Sequence, residues 1–145
     1  MRMRGRRVMG LTLLEMLVCL LIVATLATVA WPAFQAQQLR ARRSDGQALL
    51  MRMHLAQQQR WGQLGRYAQQ PQELGTLGRS PMGHYRLELQ GVSESGYTLL
   101  AHPVGAQAQD FDCGSLRLSW QDQRTLSLGT LARSPAPECW PGSAP

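Results

Sequence analysis

The fold is decided by the stretch GLTLLEMLVCLLIVATLATVAWPAFQ, residues 10–35. From Met16 to Gln35 this stretch contains no charged residue, and four arginines precede it in the leader, residues 1–10. About 20 apolar residues are enough for a helix to cross a bilayer. We therefore predict a membrane-spanning helix with the basic leader on the cytoplasmic side.

A secretory signal peptide is the alternative explanation of the apolar run. Its apolar region would be only about 7 to 15 residues long and would end at a small-x-small cleavage site, for example after Ala30. Glu15 disfavours this explanation, because a signal peptide poorly tolerates a carboxylate at the head of its apolar region. We therefore expect the run to stay on the mature protein.

The basic character of the chain comes mostly from the leader. The formal net charge is +6, and without the four leader arginines 11 arginines face 9 acidic residues. A nucleic-acid-binding protein more often spreads its arginines over a folded surface. Arg40, Arg42 and Arg43 follow the apolar run as a small cluster. We interpret this cluster as a solvated helix face, with DNA capture as the alternative.

Beyond Pro32, apolar residues recur at helical spacing among glutamines and arginines. They are Ala36, Leu39, Ala48, Leu50, Met51, Met53, Leu55 and Trp61. The spacing predicts an amphipathic helix that continues the apolar one. Together they would form one helix of about 50 residues and roughly 75 Å. Pro32 lacks a backbone donor, so we expect a kink there.

The C-terminal half carries loop and strand signals. Glycines and prolines punctuate the segment Gly62–Gly83, which predicts a connecting loop. Alternating apolar residues beyond it predict strands at 85–89, 97–101, 116–118 and, more weakly, 125–128. The expected fold class is therefore α+β, with one long helix packed on a small antiparallel sheet.

The cysteines are distributed unevenly. Cys19 lies in the apolar run, whereas Cys113 and Cys139 lie in the polar C-terminal part. This arrangement suggests one disulfide and one bystander thiol, and a bridged pair would imply an oxidising compartment. The chain has no C-x-x-C pair, so we predict no zinc site. Asp110 and Asp112 indicate a turn rather than a calcium site.

No catalytic constellation is recognisable in the sequence. His54, His84 and His102 are scattered, and no nucleophile stands near a credible base. We therefore predict a protein that is not an enzyme and that needs neither a cofactor nor a metal. A secreted enzyme is the weakest of the function classes considered.

The junction RRVMGLTLLE, residues 6–15, resembles the cleavage site of type IV prepilins. In that family a short basic leader ends in glycine, and an apolar residue, threonine, two apolar residues and glutamate follow. The resemblance implies that prepilin peptidase cuts between Gly10 and Leu11 and that the new amino group of Leu11 is methylated. Family members usually have phenylalanine where this chain has Leu11. Pro32 matches the position at which many pilins carry a helix-bending proline.

The C-terminal half is similar to minor pilins of the PilE type. The similarity lies in SGYTL at 95–99, DCGSLRL at 112–118 and the late pair Cys139-Trp140. In that group a Cys-Gly-x-Leu strand is tied to a terminal Cys-Trp. The resemblance therefore implies a disulfide between Cys113 and Cys139. Closing such a loop stabilises a domain by about 3 kcal/mol in the chain-entropy model.

Glu15 needs either a partner or a function. A carboxylate near the bilayer core costs about 2.5 to 3.5 kcal/mol. The resemblance implies that Glu15 pairs with the positive amino group of Leu11 in a neighbouring subunit of the filament. The alternative is that Glu15 simply lies among the lipid headgroups.

These expectations describe a minor pilin that helps to assemble or initiate a type IV pilus, which serves adhesion and twitching motility. The alternatives are a type II secretion pseudopilin and a DNA-uptake pilin. The implied partners are other pilin subunits, the prepilin peptidase and methyltransferase, the inner-membrane assembly platform and membrane lipid. The chain would span the inner membrane once, with its C-terminus in the periplasm, before it enters the extracellular pilus.

The expected organisation has five parts. They are a leader at 1–10, a transmembrane and polymerisation helix at 11–34, an amphipathic helical half at 35–62, a connecting loop at 63–84, and a sheet region with a disulfide-closed end at 85–145.

Overall fold

The computed structural model describes residues 12–132 and 139–140. Within them, one long α-helix packs on a four-stranded antiparallel sheet, which confirms the expected α+β fold class. The elements are α1 (Leu13–Leu64), β1 (Tyr85–Gln90), β2 (Tyr97–Pro103), β3 (Leu116–Gln121) and β4 (Thr125–Thr130), with 3₁₀ helices at Pro71–Leu74 and Gly105–Gln109.

The chain divides into two compact units between Gln37 and Gln38. In the first unit, α1 is mostly apolar and every described residue is exposed. An 18-residue window of this helix has a mean hydropathy of 2.5, and none of it is buried. By length and composition the helix can therefore cross a membrane. Helical structure continues through Pro32, and the kink expected there stays a prediction.

In the second unit, α1 covers one face of the sheet. Its Leu49, Leu50 and Met53 belong to the core, together with the inward-facing residues of β1, β2 and β3. Gly46 permits the close approach of helix and sheet, because a Cβ added there would lie 3.0 Å from side-chain atoms of Tyr85 and Leu116. Residue size at this position therefore sets the distance between the two layers.

The strands follow their order in the chain, β1-β2-β3-β4. The register places Leu99 opposite Leu118, and Leu118 opposite Leu128. Side chains alternate across a sheet, so these residues share the inner face. The helix covers the inner faces of the first three strands more completely than that of β4, where Leu126 and Leu128 are 40% and 38% exposed. The weak fourth strand of the sequence prediction is present.

The segment between α1 and β1 is held by specific contacts. Gln57 is fully buried, and its side-chain amide donates to the carbonyl oxygen of Ala68 at 3.0 Å while its Oε1 accepts from the N–H of Ala68 at 2.8 Å. Further along, Arg79 pairs with Arg86 in an isolated antiparallel bridge. The segment therefore makes specific contacts with α1 and β1 that its glycines and prolines alone do not predict.

Candidate functional site

The N-terminal end of α1 contains the first candidate residue, Glu15. Thr12 precedes the helix, and its Oγ1 accepts a hydrogen bond from the backbone N–H of Glu15 at 3.3 Å. The T-x-x-E spacing is that of a capping box, and a carboxylate in the first turn is favourable beside the helix dipole. Glu15 therefore has a local structural role in addition to any role between subunits. Gly10 and Leu11 lie outside the described residues.

Arg43 corrects the prediction of a solvated arginine cluster. It is only 4% exposed, and its guanidinium donates to both oxygens of Asp110 at 2.7 Å. Hydrogen bonding to Asp110 raises the pKa of Arg43. The prediction that Arg43 belongs to a solvated face is wrong, because a carboxylate 67 positions away withdraws it from water. Arg40 is exposed and Arg42 is half-buried.

A buried polar network surrounds this ion pair. Gln107 is fully buried, and its Nε2 donates to the carbonyl oxygen of Leu39, to the hydroxyl of Tyr85 and to Asp110. Burial raises the pKa of Tyr85 to about 12. On α1, the buried carboxylate of Asp45 accepts hydrogen bonds from Ser80 and from the N–H of Met82. The first helical turns of the second unit are thus fastened to the two connections that enter β1 and β3.

The predicted disulfide is present between Cys113 and Cys139, whose Cα atoms are 5.6 Å apart. The carbonyl oxygen of Cys139 accepts a hydrogen bond from Nε2 of Gln47 at 2.8 Å. Trp140 is 4% exposed, and its Nε1 donates to the carbonyl oxygen of Gly129 at 2.8 Å. The late Cys-Trp pair is therefore attached to both the helix and β4.

The outer face of the sheet, opposite α1, is polar and carries three arginines. Arg86 on β1 lies beside Arg79 through the isolated bridge. Arg117 lies on the same face of β3, where Leu100 separates it from Glu88 in the register. All three arginines are exposed, and within the described residues none of them forms an ion pair. We call Arg79, Arg86 and Arg117 the arginine face.

Three residues on the outer face of the sheet, Glu88, His102 and Ser115, form a hydrogen-bonded line. His102 on β2 contacts Glu88 through Nε2 at 2.7 Å and Ser115 through Nδ1 at 2.8 Å. Hydrogen bonds from Gln90 and then from His102 lower the pKa of Glu88. The antiparallel register of β1 and β2 places Glu88 and His102 close enough for this contact. The line ties β1, β2 and the start of β3.

Aromatic residues fill the part of the second unit near the end of α1. Trp61 and Tyr67 stack with ring centroids 4.5 Å apart, and Trp120 donates through Nε1 to the hydroxyl of Tyr67 at 3.2 Å. The hydroxyl of Tyr97 lies 2.8 Å from Nδ1 of His54, and burial lowers the pKa of His54. Sequence reasoning missed this cluster, although helical spacing indicated that Trp61 belongs to the core.

Sequence reasoning also missed the Arg43–Asp110 pair and the Glu88–His102–Ser115 line. No local signal in the sequence identifies either set. The T-x-x-E spacing at Thr12 and Glu15, in contrast, is a signal that a search for helix starts would have found.

A long helix with an apolar first part, and a four-stranded antiparallel sheet with a C-terminal disulfide, are consistent with the α+β fold of type IV pilins. Residues 32–117, more than half of the chain, match the family model described as "Type IV minor pilin ComP, DNA uptake sequence receptor". The chain therefore belongs to this family of type IV minor pilins. A comparison with curated proteins finds no match.

Membership of this family makes the chain a structural subunit of the type IV pilus that interacts with other pilus subunits. It also favours the pilus over a type II secretion system. The apolar helix near the N-terminus has the length and composition of a membrane anchor.

Proposed function

We propose that this minor pilin is processed between Gly10 and Leu11, is held in the inner membrane by residues 11–34 with its C-terminus in the periplasm, and then enters the pilus through the same helix. The observation that carries the proposal is the fully exposed apolar surface of α1 in the first unit. Such a surface requires cover from lipid or from neighbouring helices. The prepilin peptidase and the assembly platform are the partners that this route requires.

The proposal gives Glu15 a role in assembly. A carboxylate in an apolar filament core needs a compensating charge, and the amino group of Leu11 of a neighbouring subunit would supply it. Pro32 would bend the helix as it enters the filament. The PilE-type resemblance of the C-terminal half supports a pilus subunit whose disulfide-closed second unit lies at the filament surface.

Two substitutions of Glu15 separate its local role from its role between subunits. Glu15→Gln keeps a capping-box residue at this position but removes the charge, whereas Glu15→Ala removes both. We expect both variants to be inserted and cleaved but to enter pili poorly, as measured by quantitative blotting of sheared pili against membranes. Normal incorporation of Glu15→Gln would contradict a charge-based role. Failure of the variants to be cleaved, with normal cleavage of the native chain, would assign Glu15 to processing instead of assembly.

A second candidate function is DNA capture, which the family description and the arginine face both favour. Among the described strand residues, the outer face of the sheet carries one carboxylate, that of Glu88, beside the three arginines Arg79, Arg86 and Arg117. Hydroxyl and amide side chains accompany the arginines on the outer face and can donate hydrogen bonds to phosphate oxygens. They are Gln90, Thr98, Ser115, Gln121 and Ser127.

The DNA-binding proposal is tested with two sets of three Arg→Gln substitutions. One set removes the arginine face, and the matched control removes Arg40, Arg42 and Arg52 on α1. Each lost phosphate contact reduces the magnitude of the slope of log K against log salt concentration by about 0.9. We expect the arginine-face variant to lose most duplex retention and about two to three units of that slope. Equal losses in the control would instead assign binding to the helix.

A further inference from the structure

Two large apolar side chains stand exposed on loops beside the first turns of α1 in the second unit. Phe111 is 84% exposed and Met82 is 72% exposed. Both loops are fixed to the helix, because the N–H of Met82 donates to Asp45 and the neighbouring Asp110 binds Arg43. Their exposure is therefore a property of anchored loops.

The charges near these loops favour an anionic surface. Asp45 and Asp110 are buried at 5% and 3% exposure and are engaged by hydrogen bonds or an ion pair. Asp112 is exposed, but it lies 3.7 Å from the guanidinium of Arg43. On α1, exposed Arg40 and half-buried Arg42 lie within the five residues that precede Asp45. Aromatic and apolar side chains beside arginines are the usual anchors at a bilayer interface.

If residues 11–34 span the bilayer as proposed, the length of the chain limits how far the first residues of the second unit can lie from the membrane. The proposed span ends at residue 34, and the second unit begins at Gln38. Four residues extend at most about 14 Å even in a fully stretched chain. Because Gln107 donates to the carbonyl oxygen of Leu39 and Arg43 binds Asp110, the loop that carries Phe111 is fastened to the first residues of the unit.

We propose that Met82 and Phe111 insert into the headgroup region of the anionic bilayer that the chain itself spans, with Arg40 and Arg42 at the lipid phosphates. The inference rests on the proposed membrane anchoring. Before assembly, these contacts hold the second unit against the membrane surface. Entry into the pilus then requires that the two apolar side chains leave the lipid.

The test places a fluorescent label beside each apolar residue and leaves that residue intact. Pro81→Cys and Gln109→Cys are exposed positions near Met82 and Phe111, and Gln123→Cys, in the β3–β4 turn at the opposite end of β3, is the control. Each is made in a Cys19→Ala full-length chain, labelled with an NBD dye and reconstituted into vesicles of phosphatidylglycerol and phosphatidylethanolamine. Lipids with a spin label in the headgroup region serve as quenchers.

We expect the labels at positions 81 and 109 to be quenched several-fold more strongly than the label at 123. Met82→Ser combined with Phe111→Ser should remove that difference. Quenching equal to that at position 123, or unchanged by the serine variant, would overturn the inference. The native Cys19, labelled in the unmodified chain, separates the two proposals. A label at Cys19 in water would contradict the proposed membrane anchoring. A label at Cys19 in lipid, with the labels at positions 81 and 109 in water, would contradict only the insertion of Met82 and Phe111.

Discussion

Arg43 and Asp110 form a buried ion pair in which both oxygens of the carboxylate accept hydrogen bonds from one guanidinium at 2.7 Å. The two residues are 67 positions apart, and the pair joins α1 to the connection between β2 and β3. It therefore links the helix that carries the proposed assembly surface to the disulfide-closed region.

Removing one partner of this pair should be strongly destabilising. Arg43→Leu leaves Asp110 buried without a counter-charge, which typically costs about 3 to 5 kcal/mol. We expect that loss in urea unfolding of the full chain in detergent, followed by near-ultraviolet circular dichroism. Arg42→Gln is the control and should change the free energy of unfolding by less than about 0.5 kcal/mol. Arg43→Leu with Asp110→Leu should lose less than Arg43→Leu alone; an equal or larger loss would contradict the charge argument.

The two helical glycines of the second unit should respond in opposite directions. A Cβ at Gly46 meets the fully buried Tyr85, which the hydrogen bond from Gln107 holds in place. We expect Gly46→Ala to destabilise by about 1 to 3 kcal/mol through overpacking. Gly62 has open space around it, so Gly62→Ala should stabilise by up to about 1 kcal/mol through helix propensity. Thermal unfolding of the two variants checks the sign, and stabilisation by Gly46→Ala would show that Tyr85 can move.

Removal of the disulfide tests the stability of the C-terminal region. We expect Cys113→Ser with Cys139→Ser to lose about 3 kcal/mol, because the unfolded chain regains the freedom that the bridge restricts. Cys19→Ala, which alters an exposed thiol outside the bridge, is the matched control and should leave the unfolding midpoint unchanged. A double variant as stable as the control would show that the remaining contacts, from Gln47 to the carbonyl oxygen of Cys139 and from Trp140 to Gly129, are enough to hold this region.

The stability of the second unit should fall on acidification because of His54. Burial lowers the pKa of His54 below its ordinary 6.5, so the unfolded chain binds a proton more readily than the folded one. Between those two pKa values, stability rises with pH. We expect a higher unfolding temperature at about pH 7.5 than at about pH 5.5, with a smaller difference in His54→Gln. An unchanged pH dependence in that variant would assign the effect to other groups.

The apolar stretch and the alternating strands were predictable because both signals are local. Residues 16–34 carry no charge whatever surrounds them, and the alternation at Tyr85, Leu87 and Leu89 marks the inner face of a strand before its neighbours are known. The pairing of Cys113 with Cys139 followed from family resemblance. Glu15, Gly10 and Leu11 were likewise singled out by their motif, which proposes a processing site at Gly10 and Leu11 and a charge pair between subunits for Glu15.

Only the tertiary structure decided which charged residues stay in water. Arg42 and Arg43 are adjacent and chemically identical, yet one is half-exposed and the other is buried against Asp110. The arginine face and the line from Glu88 through His102 to Ser115 likewise arise from the register between strands. Local periodicity reports which face of an element is apolar. Which distant polar groups come into contact depends on how the connections between them fold. The spacing of residues along the sequence does not determine those contacts.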